Sequence, residues 1–340
     1  MGQRTTPNVG LHRPGLTLTG GLIVALVVLA FGAVMIGPYG LTPGQVVFAL
    51  FGQGDQQAQI VVWHIRLPRV GAALLVGAAL AASGATYQAL FRNPLVSPDI
   101  LGVSAGAGLG AMAGIFLSLP VAAIQGAAFV GGMAAVGMVM LVGAMARNTD
   151  RTLTLVLLGV VVGALAGAMT SLLKVMADPY DQLPAITFWL LGSLAAITTR
   201  DILPALPMVL VGLVPLALLR WRINVLSLGD EEARALGVEA GRTRLVVIAA
   251  ATLMTASVTA LAGVVGWVGL VIPHIARMLV GPGFGRLLPT SVLLGAGYLL
   301  LVDTLARTIA AAEVPLGVLT AVIGAPFFVW LLARGRRGWS

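Results

Sequence analysis

Apolar residues in this chain come in long blocks rather than at the alternate positions of a half-buried strand. The block from Val70 to Phe91 carries no charged residue, and a helix of about 20 apolar residues is what the hydrocarbon core of a bilayer requires. Blocks of this kind, divided by Pro, Gly and charged residues, predict ten spanning helices near 20–37, 70–91, 100–117, 121–145, 153–176, 201–219, 244–264, 266–281, 288–306 and 315–333. The apolar stretch Ala185 to Thr198 is shorter and is bracketed by Pro184 and by Arg200 with Asp201, which predicts a buried or re-entrant helix. No block has the roughly 10-residue alternation of a barrel strand, so the expected class is an all-α integral membrane protein. A faint similarity between 70–117 and 244–281 hints at an internal repeat.

Composition agrees with the pattern. Of the 340 residues 59% are hydrophobic and only 9% charged, against roughly 25% charged in soluble domains. The 44 glycines suit close helix packing in lipid. The expected organisation is an N-terminal tail at 1–19, a transmembrane domain at 20–333 whose longest polar segment is 220–244, and a C-terminal tail at 334–340. The first apolar run follows Arg4 and Arg13, as a signal peptide would, but its length and the absence of a clear cleavage site predict a retained helix. Without cysteine there are no disulfides and no thiolate chemistry.

The net charge of +8 has no basic face with interleaved aromatics, which argues against nucleic acid. Read as topology, with the N-terminus inside, fifteen of the twenty Lys and Arg fall in cytoplasmic loops. The exceptions facing outward are Arg66, Arg69, Lys174, Arg200 and Arg307.

Three stretches carry more than lipid compatibility. In "FRNPLVSPDILGVSAGAG" (91–108), Asn93 before Pro94 marks a turn, and Ser97, Pro98 and Asp99 read as the cap and first turn of the next helix. The segment "RWRINVLSLGDEEARALGVEAGRTR" (220–244) mixes apolar residues with acid-rich turns and glycines, as a helix pair docking into a protein groove would. Asp303 and His274 lie in apolar helices and raise a proton relay, hence a secondary transporter; against it, Asp303 and Arg307 have the i, i+4 spacing of a helical ion pair. No phosphate-binding G-x-x-x-x-G-K-[ST] loop is present, so the chain is not expected to be an enzyme or to hydrolyse a nucleotide itself.

Together, "RLPR" (66–69), the 91–108 stretch, "LSLGDEEARALG" (226–237), "GLVIPHIARMLVG" (269–281), "DTLAR" (303–307) and "EVPLGVLTAVIGAPFFVWLL" (313–332) resemble the permease subunit of type II ATP-binding-cassette importers. This is the FecCD family, which takes up iron-siderophore complexes, haem and cobalamin. The resemblance implies a ten-helix subunit in the bacterial inner membrane with both termini cytoplasmic. It further implies a homodimer or close heterodimer, two ATPase subunits that hold ATP and Mg, and an extracytoplasmic substrate-binding protein, with no cofactor or metal on this chain. The ATPase-coupling residues by motif are Leu226, Ser227, Leu228, Gly229, Asp230, Glu231, Glu232, Ala233, Arg234, Leu236 and Gly237. The cytoplasmic gate falls on Asn93 and Leu95, with Thr152 by position only, and the binding-protein docking residues are Arg66, Arg69 and Arg307. An oxyanion such as molybdate remains an alternative cargo.

Overall fold

The computed structural model describes residues 14–146, 151–310 and 312–334. Residues 1–13 of the expected N-terminal tail, the tail beyond 334, and Arg4, Arg13, Arg147, Arg336 and Arg337 of the charge count lie outside the described residues. The described residues form α-helices and no strand: α1 (Pro14–Met35), α2 (Pro43–Leu50), α3 (Gln56–Ile60), α4 (Leu67–Leu90), α5 (Val103–Phe116), α6 (Val121–Met145), α7 (Arg151–Met176), α8 (Gln182–Leu191), α9 (Thr199–Leu218), α10 (Arg220–Leu226), α11 (Asp230–Ala235), α12 (Ala240–Ala262), α13 (Val268–Val280), α14 (Phe284–Ala306) and α15 (Leu316–Arg334).

Seven of these are long and apolar enough to cross a membrane, and α5, α8, α13 and α15 are shorter apolar helices. Helices α1, α4, α5, α6, α7, α9, α12, α13, α14 and α15 coincide with the ten predicted blocks. Helix α1 starts earlier than expected, at Pro14. The short α8 takes the place of the predicted re-entrant segment and ends at Gly192, whose positive φ of 72° turns the chain. Leu316 N donates to Gly192 O and Ser193 N to Ala262 O, so α8, α12 and the start of α15 meet at this break.

The pattern of apolar blocks gave no sign of α2, α3 or the turn beyond them. Thr42 caps α2 in a reciprocal box with Gln45. Helix α3 runs through a π-helical turn, Val61–Arg66, directly into α4. Pro68 explains that turn: it has no N–H to give, and its ring would strike the carbonyl of residue 64 in a regular helix.

Helices α4 and α12 form the centre. In the apolar window of each, 78% of residues are buried, against 11% in α1 and 17% in α7. Close approach is built from glycine: a Cβ on Gly77 of α4 would strike the backbone of Gly295 in α14, and one on Gly84 would strike Gly269 in α13. The small residues leave room for internal polar bonds, Tyr87 Oη to Thr252 Oγ1 at 2.9 Å and Ser83 Oγ to the carbonyl of Ala251 at 3.1 Å. Two long helices thus stand side by side, each followed by a break and a shorter helix, α5 or α13.

Candidate functional site

Around the start of α4 and the end of α14 the three arginines expected to face a docking partner turn inward. Relative exposure is 2% for Arg66, 6% for Arg69 and 5% for Arg307. Arg66 Nη1 donates to the carbonyls of Val34 and Met35 and its Nη2 to that of Tyr39, while Arg307 Nη2 donates to the carbonyl of Ala33. The last carbonyls of a helix have no partner within it and carry its negative end. Two guanidiniums therefore close the end of α1. Arg69 donates through Nε to Asp303 and through Nη1 and Nη2 to the two oxygens of Glu313, at 2.6 and 3.0 Å. Asp303 also lies 3.7 Å from Arg307, the i, i+4 pair the spacing predicted, but Arg69 is the closer partner. The expectation of exposed arginines is thereby corrected: the π-helical turn before Pro68 and the burial of Asp303 draw them into an internal network joining α1, α4, α14 and the strand of chain before α15.

The opposite end of α4 carries the 220–244 segment. Helices α10 and α11 meet at Gly229, whose φ of 146° no other residue type takes easily. Leu226, Gly229 and Ala233 are buried, so these three expected coupling residues hold the segment to the bundle. Leu228 and Leu236 are exposed apolar side chains, flanking exposed Glu231, Glu232 and Arg234. Arg244 at the start of α12 binds Asp230 through two hydrogen bonds, at 2.8 and 3.2 Å. That bidentate bond holds the Asp230 carboxyl below the usual carboxylate range despite partial burial. The segment is therefore an exposed mixed face tethered to central helix α12 through Asp230 and Arg244.

Beside it, Asn93 Oδ1 accepts from Leu95 N and shapes the "RNPL" turn, with both residues exposed. The turn leads to a 3₁₀ helix, Pro98–Leu101, that packs on α7: a Cβ on Gly159 would strike Ile100 O. Ser97 stands at the predicted cap position but makes no capping bond; Asp99 instead accepts from Ser104 Oγ. Thr152 lies in the first turn of α7. The turn and α7 are thus connected through the 98–101 helix. Sequence reading passed over Gln88, which orients Arg277 by accepting from its Nη2 at 3.1 Å while donating to the carbonyl of Leu270. A glutamine in the last turn of a helix with no charged residue after Arg69 was the available signal. Among the described residues, no group of three or more His, Cys, Asp and Glu could hold a metal ion.

Comparison with known proteins decides what this arrangement is. The model of the FecCD transport family matches residues 23–334. The chain belongs to the FecCD transport family. It is 40% identical over 324 residues to the molybdate import system permease protein of Haemophilus influenzae, covering 94% of this chain and 96% of that one. It is 44% identical over 278 residues to the cobalamin import system permease protein of Halobacterium salinarum, covering 82% and 74%. Among solved structures, a chain of a metal-chelate type ABC transporter in an inward-facing conformation superposes with a TM-score of 0.86 at 39% identity, covering 94% and 99%. The protein is thus a multi-pass membrane permease of the ABC importer type. The relay reading has no support in this FecCD permease, because both oxygens of Asp303 are already engaged by Arg69.

Proposed function

We propose that this permease is the membrane-spanning half of an ATP-driven importer for a chelated metal, an iron-siderophore complex, haem or cobalamin. It works in the bacterial inner membrane with both termini cytoplasmic. Two copies of the chain pair across exposed apolar faces such as Leu157, Val161 and Leu165 of α7, and each copy carries one ATPase subunit that holds ATP and Mg. The observation that carries this reading is the divided 226–237 segment. Leu228, Glu231, Glu232 and Leu236 face out for docking, while Leu226, Gly229 and Ala233 bind the segment to the bundle. ATP-driven movement of that segment passes through Asp230 and Arg244 to α12 and opens or closes the pathway at Asn93, Leu95 and Thr152. The 40% identity to a molybdate permease over 94% of the chain favours a second reading, the same machine carrying an oxyanion.

The test is uptake into vesicles holding the reconstituted complex, with ATP and an uncoupler, offered labelled ferric siderophore, haem, cobalamin and molybdate in turn. Uptake of one metal complex should persist with the uncoupler, and Glu231→Lys with Glu232→Lys should leave ATP hydrolysis running without it. Uptake that needs a proton gradient and no ATP would sink the proposal.

A substrate-binding protein docks at the end of the bundle that holds Arg66, Arg69 and Arg307, and it reaches the buried Arg69 by exchange. Glu313 is the exposed member of the network, its side chain 38% accessible, and a partner carboxylate takes its place on the guanidinium. Glu313→Gln should therefore tighten docking several-fold in a pull-down titration. Unchanged or weaker docking would remove Arg69 from the interface.

A further inference from the structure

At the end of the bundle that bears the 220–244 segment, a cavity of about 660 Å³ opens between the last turn of α4, α10, the end of α13 and the start of α14. Its polar lining comes from Gln88, Arg92, Asn93, Asn224, Ser227, His274 and Arg277. No carboxylate is among the described residues that line it. Arg92 is exposed at the mouth near Gly229 and shares the field of Asp230, whose own two bonds go to Arg244. Arg277 has no such compensation: among the described residues it pairs with no acid, its Nη2 is given to Gln88, and its Nη1 has no hydrogen-bond partner. His274, one helical turn away, has an unpartnered Nδ1. Asn224 accepts the first N–H of α14 through Oδ1, which leaves its amide N–H₂ as a donor and brings the positive end of α14 to the same wall.

A buried donor without a partner is destabilising, more so when it is charged. Here two cationic donors, a ring nitrogen, a side-chain amide and a helix start surround one opening with no fixed negative charge inside. Water alone leaves the Arg277 charge uncompensated, whereas a compact anion with several acceptor oxygens answers it and reaches the other donors as well. We propose that this cavity is a binding site for a tetrahedral oxyanion of the phosphate class, held chiefly by Arg277 with Arg92 at the mouth, and that Gln88 aims the Arg277 guanidinium. Free oxyanion and the phosphate of an anionic lipid headgroup share this chemistry. The site goes beyond the transport reading: Asn93 of the proposed gate lines the same cavity, but the residues that hold the anion are Arg277 and Arg92, and anion binding requires no transport.

The test uses the full-length permease in phosphatidylcholine nanodiscs at low salt, titrated with labelled orthophosphate and separately with labelled molybdate. Saturable binding of either is expected, with affinity at least tenfold lower in Arg277→Gln, several-fold lower in Arg92→Gln and unchanged in Arg200→Gln at the far end of the bundle. If free anion does not bind but phosphatidylglycerol survives detergent exchange on the native protein and not on Arg277→Gln, the same site holds a lipid phosphate. Neither form bound, or binding indifferent to both variants, overturns the site. Should Arg277→Gln fail to fold by gel filtration, Arg92→Gln at its exposed position decides. No step reads transport, so failure here leaves the proposed function standing.

Discussion

Arg69 and Arg244 stand at the starts of the two most deeply buried long helices, and each binds a carboxylate through two hydrogen bonds, yet they do opposite things. The acids on Arg69 lie 234 and 244 residues away, and one of them, Asp303, has no exposed surface. Asp230 lies only 14 residues before Arg244, and its side chain is 37% accessible. The first pair is part of a desolvated lock that four parts of the chain must assemble together. The second is a local clasp on a surface segment. Removing one partner of a buried pair leaves an uncompensated charge, whereas a half-exposed partner is replaced by water. One end of this molecule is thereby fixed and the other is tethered, which is the asymmetry the proposed drive from the 220–244 end requires.

The strongest way to break this contrast is Asp303→Ala. It strips Arg307 of its only ion pair among the described residues and leaves Arg69 with Glu313 alone. The expected loss is about 3–5 kcal/mol of stability, with the full-length protein unfolding at clearly lower temperature or denaturant in detergent. A loss under about 1 kcal/mol would mean that the network is not a desolvated lock. Arg69→Glu should fail in the same way, through folding before docking.

How much of this was legible in the chain depends on distance along it. The ten apolar blocks, the short α8 and the tethered 220–244 segment follow from residues close together in sequence. Apolarity, though, could not rank the blocks by burial: α1 is the most apolar span and the least buried, since lipid rewards Val and Leu outside while helix contacts want Gly, Ser and Thr. The outward count placed Arg66, Arg69 and Arg307 at one end of the bundle. It could not see them bury, because the groups that draw them in are the end of α1, Asp303 and Glu313. The "RNPL" turn was readable from Asn93 and Pro94; the cavity behind it needed α13 and α14 brought against α4.

A smaller effect is expected at the clasp. Because Arg244 lowers the folded-state value of the Asp230 carboxyl, the clasp stabilises the segment above the ordinary aspartate range of about 4 and is lost as pH falls through the depressed value. Amide exchange across residues 227–240 should therefore be level from pH 5 to 8 once corrected for intrinsic rates, and rise below about pH 4. Asp230→Asn should show the raised exchange already at pH 7, at a cost of roughly 1 kcal/mol confined to this segment. Global unfolding in that variant would put Asp230 in the same class as Asp303 and erase the contrast.

The smallest effect tests whether the clasp is a specific bond or merely acidic charge beside basic charge. Arg242 reaches Glu239 at 3.3 Å in the same part of the chain, but the two side chains are 84% and 65% accessible. Solvent screens such a pair, and a cation in the first turn of α12 also meets the positive end of that helix, so its removal relieves one interaction as it breaks the other. Arg242→Gln should change stability by less than about 0.5 kcal/mol, in either direction, and leave exchange across 227–240 as it was. If it loosened the segment as far as Asp230→Asn does, the two hydrogen bonds between Asp230 and Arg244 would not be what holds it. The proposed coupling to α12 would then run through diffuse charge rather than through a single specific contact.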